Sequence, residues 1–116
     1  MPAFMEVMDQ RVAWREITRL KVQAAGALRT ASNAFTEKTR IEHLEHAIEP
    51  SVKALEIHDK CPNLFWPREA AFRRFMEEAH RRLGNDTAAD EAKKRAEEVE
   101  EQIKERLEAG DNLGSL

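Results

Sequence analysis

The chain is poor in several things at once. Its 116 residues hold one cysteine, Cys61, so an internal disulfide is excluded and the lone thiol says little about redox compartment. Tyrosine is absent, and aromatic residues make up only 6%. No apolar run approaches the roughly 20 residues needed to cross a bilayer. The opening Met1-Pro2-Ala3-Phe4 has no basic region followed by an apolar one, so it does not read as a signal peptide. The net charge is -3, which gives no global basic field to draw nucleic acid. There is no Gly-rich phosphate loop, no paired catalytic carboxylate motif and no Ser-His-Asp signature. A soluble protein of cytoplasmic type is expected, with no membrane partner, no nucleic-acid partner and no cofactor.

What is present is helical patterning. Charged residues reach 35% beside only four glycines and four prolines, as in helices with solvated outer faces. A first helix is predicted from about Ala3 to Ala31, with the stripe Phe4, Val7, Met8, Trp14, Ile17, Leu20, Ala24, Leu28 and Ala31. Gly26 is a candidate break within it, and Ser32-Asn33 offers a stop. A second helix begins near Thr36 or Thr39, where Thr39-Arg40-Ile41-Glu42 has capping-box form. Its stripe is Ile41, Leu44, Ile48, Val52 and Leu55. Pro50 falls inside that stripe, so the helix either kinks there or ends at Glu49 and restarts. The unbroken phase of the stripe favours a kink.

Residues 59–66 read as the longest irregular connection, with Leu64-Phe65-Trp66 expected to tuck into the core. Pro67 suits the first position of a third helix, whose apolar face is Phe72, Phe75, Met76, Ala79 and Leu83, stopped by Gly84. Asp86 or Thr87 is expected to cap a fourth helix with a narrow seam of Ala89, Ala92, Ala96, Val99, Ile103 and Leu107. Lys93 with Glu97, Lys94 with Glu98 and Glu100 with Lys104 are spaced to pair along its outer face. Gly110 ends it. The organisation is thus one all-helical domain over residues 1–110 and a tail, 111–116. Gly114-Ser115-Leu116 resembles a cloning scar, which, with the regular Ala-, Glu-, Lys- and Arg-rich last helix, points to an engineered protein on a natural helical scaffold.

Ala47 and Ala54 lie seven residues apart, with Leu55 following, in Ala47-Ile48-Glu49-Pro50-Ser51-Val52-Lys53-Ala54-Leu55-Glu56-Ile57. Ala89 and Ala96 repeat the spacing after Leu83-Gly84-Asn85. Small residues two turns apart on one face let a neighbouring helix approach closely. The first stretch resembles the second helix of a tetratricopeptide repeat, and the second resembles the turn and second helix of another such unit. The alanine pairs are offset by 42 positions, where that family's period is about 34. The resemblance implies paired helical hairpins with a concave surface that binds a peptide or partner protein and carries no catalytic residue. A four-helix bundle with short loops fits the same pattern. The fold expected is therefore all-α: four antiparallel helices, as a bundle or as tetratricopeptide-like hairpins.

Ligand-type side chains concentrate in two places. His43 and His46 are three apart on one helical face, and His58 and Cys61 repeat that spacing. About 18 Å of helix separates the two pairs at 1.5 Å per residue, so a single zinc ion cannot collect both. Cys61 with His58 has the composition of a nucleophile and its base, without any mark of an oxyanion hole. Arg68, Arg73, Arg74, Arg81 and Arg82 form a basic flank balanced by Glu69, Glu77 and Glu78, as on a solvated face. The function expected is a protein-interaction module that presents a helical surface to a protein or peptide. Trp14, Phe65, Trp66 and Arg73 are its candidate binding residues, because aromatic and arginine side chains dominate contact energies. The competing reading is a designed catalyst or metal binder using His58 and Cys61, with His43 and His46 as metal ligands. Self-association into a homodimer through the seam of the fourth helix is a further expectation.

Overall fold

The computed structural model describes residues 10–60 and 68–110. Four helices are present among them: α1 (Gln10–Ser32), α2 (Glu37–Asp59), α3 (Arg68–Leu83) and α4 (Asp86–Glu108). The all-α class and the four-helix count follow the sequence reading. Residues 3–9 of the first predicted helix, Pro67 as a helix start and most of the 59–66 connection lie outside the described residues.

α1 buries Ala13, Ile17, Leu20, Ala24, Leu28 and Ala31 at steps of three and four, one continuous stripe, and Gly26 does not interrupt it. The α2 start corrects the capping-box expectation. Thr36 is the N-cap, and its side chain accepts the Thr39 amide at 3.1 Å, which leaves Thr39 inside the helix. α2 then runs through Pro50 without a break, so a separate helix restarting there is ruled out. Ser51 is fully buried next to it and donates to the Ala47 carbonyl at 2.9 Å, which satisfies its hydroxyl.

Two further expectations are corrected in α2 and α4. Ile41 and Val52 belong to the predicted stripe but are more than one-third exposed, and Leu107 is half exposed. The α2 face turned to α1 and α3 is narrower than the stripe, and Leu44, Ala47, Ala54 and Leu55 carry it. α4 is capped by neither Asp86 nor Thr87: Asn85 is the N-cap position, with no side-chain cap bond. The reason lies one residue earlier. Gly84 has φ +87° and closes α3 with a pair of bonds, Asn85 N–H to His80 O at 2.8 Å and Gly84 N–H to Arg81 O at 3.1 Å. That left-handed closure leaves only two residues between the helices, so Asn85 must both end one and begin the next.

Packing is sequential. α1 lies on α2, α2 on α3, and α3 on α4; α1 also touches α3, while α4 touches α3 alone among the described helices. The core has two clusters. Ala13, Ile17, Leu20, Ala54, Leu55 and Phe72 make one, and Leu28, Ala31, Leu44, Ala47 and Ala79 the other, with Phe75 packed against both. The predicted alanine pairs, Ala47 with Ala54 and Ala89 with Ala96, are all buried.

Charged side chains stitch the layers. Arg82 donates to the Leu28 carbonyl and to Ser32 Oγ near the end of α1, while Arg40 of α2 donates to the Arg82 carbonyl at 3.2 Å. Arg74 spans α3 to α4, with 2.7 Å to Glu100 and 2.8 Å to Glu77. Glu100 therefore pairs across the interface and not with Lys104. The Arg74 hydrogen bond holds the Glu100 carboxyl below the ordinary range, and Glu100 in turn raises the Arg74 guanidinium. A carboxyl depressed in the folded state stabilises at neutral pH, and that contribution is lost as pH falls through its folded pKa.

Candidate functional site

The charge of the chain is near balance as a whole but not helix by helix. α1 carries five basic side chains, Arg11, Arg15, Arg19, Lys21 and Arg29, against Glu16 alone. With α3 the basic count is ten against four acidic; α2 and α4 together carry eight basic against fifteen acidic. The two basic helices, α1 and α3, are in contact.

Most of the arginines are already engaged by carboxylates. Arg19 pairs with Glu16, Arg40 with Glu37, Arg81 with Asp90 at 2.8 Å, and Arg82 with Glu78 at 3.9 Å. Three cations without such a partner, Lys21 and Arg29 of α1 and Arg68 of α3, border one cleft. Arg15, Lys21, Arg29 and Arg68 have no carboxylate within ion-pair distance among the described residues. Arg68 instead lies over the Trp14 ring, 4.2 Å from its centroid, and reaches Thr18 Oγ1 at 3.4 Å. This cation–π contact holds the α3 guanidinium against α1 without neutralising it.

Between these residues runs a cleft of about 410 Å³, lined by Thr18, Lys21, Val22, Ala25, Gly26, Arg29 and Arg68. Its α1 wall is low because Ala25 and Gly26 project little, and Val22 stands 69% exposed within it. An exposed valine between unpaired cations offers both an apolar contact and a positive field to whatever enters.

The predicted site residues fall in different places. Trp14 is half-buried beneath Arg68, at the edge of this cleft. Arg73 lies elsewhere, bound at 3.4 Å to Glu69, and its Nε is buried without a hydrogen-bond partner. Glu69 is only 6% exposed and is the hub of three helices. Its Oε2 also meets Arg95 Nε of α4 at 3.4 Å, and its Oε1 meets His58 Nε2 of α2 at 3.8 Å. Phe65, Trp66 and Cys61 lie outside the described residues.

His43 and His46 stand edge to face, with ring centroids 6.1 Å apart. They line a second cleft of about 410 Å³ on the α1/α2 side, with Arg19, Gln23, Glu49 and Lys53. No group of three or more metal-ligating side chains is assembled among the described residues. No described helix is long and apolar enough to cross a membrane.

Lys21, Val22, Ala25 and Arg29 carry no motif in the sequence, and Gly26 stands out there only as a candidate helix break. The available signal was the excess of basic over acidic residues within one amphipathic segment, which the near-neutral total concealed. Comparison of the chain with protein-family models, with curated proteins and with solved structures finds no match.

Proposed function

We propose that the chain is a protein-interaction module whose α1/α3 groove receives an acidic segment of a partner protein. The observation that carries this reading is the set of unpaired cations, Lys21, Arg29 and Arg68, around an exposed valine on a shallow cleft. Elsewhere the arginines of α3 are neutralised by the chain's own carboxylates. The sequential packing, with α1 on both α2 and α3, supports the hairpin arrangement to which the tetratricopeptide resemblance pointed. An anionic segment laid across the groove exchanges water and counterions for those cations and covers Val22.

The reading is tested with a fluorescent peptide of Asp, Glu and Leu, followed by anisotropy at low salt. The double substitution Lys21→Gln/Arg29→Gln is expected to weaken binding about tenfold, from two exposed charge contacts of up to roughly 1 kcal/mol each. Lys93→Gln/Lys94→Gln, on the outer face of α4, should leave it unchanged. Equal binding by the Lys21/Arg29 variant would reject the groove. Tighter binding of a single-stranded oligonucleotide than of the acidic peptide would replace a protein partner with a nucleic acid.

A further inference from the structure

Resting on the reading that the groove takes an acidic segment, we infer that a second copy of this chain supplies one, through the outer face of its α4. That helix has nine acidic side chains. Asp86 and Asp90 are held by Arg81, Glu98 by Arg95 and Glu100 by Arg74. Glu97, Glu101, Glu105 and Glu108 are exposed and have no cation within ion-pair distance among the described residues. Their spacings of four, four and three place them on a single strip about 16 Å long at 1.5 Å per residue. Two cations fall within that span, Lys104 on the side of the strip and Arg106 on the opposite side of the helix; Lys93 and Lys94 precede it.

The receiving face has comparable length and opposite sign. Lys21 to Arg29 spans about 12 Å along α1 by the same rise, with Arg68 across the cleft. Among the described residues neither face packs on the other, because α4 touches α3 alone and makes no packing contact with α1. The two surfaces are on different helices of the same chain, so the contact is heterologous: docking one α4 leaves a free groove on one copy and a free α4 on the other. Association then proceeds as an open series, and it is weak at physiological salt, where the Debye length is about 8 Å.

Sedimentation velocity of the whole chain tests this. At roughly 20 mM salt, where screening is slight, the weight-average sedimentation coefficient should climb with concentration; at about 1 M, with a Debye length near 3 Å, it should return to that of the 13.4 kDa monomer. Lys21→Gln/Arg29→Gln keeps an acidic α4, and Glu101→Gln/Glu105→Gln keeps a basic groove. Each variant alone should stay monomeric, and an equimolar mixture should form a two-chain species and go no further.

A wild-type chain that stays monomeric at low salt while its groove still binds the acidic peptide overturns the inference and leaves the interaction reading standing. Loss of both overturns both. Undiminished association of either double variant, or no association in the mixture, also overturns it.

Discussion

Phe72→Ala is expected to lower the unfolding free energy by about 3–5 kcal/mol, the range for removing a fully buried phenylalanine. Phe72 is 1% exposed and belongs to the cluster formed by Ala13, Ile17 and Leu20 of α1 with Ala54 and Leu55 of α2. It is the side chain by which α3 enters the α1–α2 hairpin. Its ring also meets Phe75 edge to face, with centroids 5.9 Å apart, a favourable quadrupole arrangement that alanine abolishes. The surrounding side chains come from three helices already tied together at Arg82 and Glu69, so the walls of the cavity have little room to collapse. Urea unfolding followed by circular dichroism checks the value: the midpoint should fall with the slope unchanged. A loss under about 1 kcal/mol would mean that α3 is not anchored through this ring.

The second large effect is expected at Glu69. Removing one partner of a buried ion pair costs more than the pair contributes, because the charge left behind has been taken out of water. Glu69→Ala removes the carboxylate that faces Arg73, Arg95 and His58; Arg95 keeps its pair with Glu98, whereas Arg73 is left with no carboxylate among the described residues. A fully buried case costs about 3–5 kcal/mol. Here Arg95 is 41% exposed and can turn towards solvent, so roughly 2–3 kcal/mol is expected. Arg73 cannot relax as easily, since its Nε is already buried without a partner. Glu69→Ala combined with Arg73→Leu should therefore recover part of the loss, and a strictly additive double variant would show that the two side chains are not coupled.

The helices were legible because alanines seven apart and aliphatic stripes of period three to four leave few alternatives to close-packed helices. Their ends were less so. Thr36 and Thr39 are both good caps by residue type, and only the chain path out of the turn selects Thr36. At the other hairpin, the left-handed Gly84 brings the N-cap of α4 forward to Asn85, ahead of Asp86 and Thr87. Ile41 and Val52 misled because a stripe marks the apolar residues of a helix without saying how many neighbours will cover them. The candidate groove was hidden for a different reason. Arg68 and Thr18 are 50 residues apart, and it takes the folded array to bring that guanidinium over Trp14 and leave Lys21 and Arg29 uncompensated. Arg73 belongs to the basic flank read from the sequence, whereas the structure commits it to Glu69.

Among the described helices α4 is the outermost leaf of the stack, fastened to one neighbour by a row of alanines, one valine and a few guanidinium clasps. Opening that leaf uncovers far less apolar surface than disrupting the first three helices. Backbone amides of the last helix should therefore exchange with deuterium earlier than those around Ile17, Leu44 and Phe72, as a separate cooperative step below global unfolding. Because the acidic strip sits on this leaf, seating it in another molecule's cleft would slow that exchange, which makes the quiet end of the protein the most sensitive reporter of association.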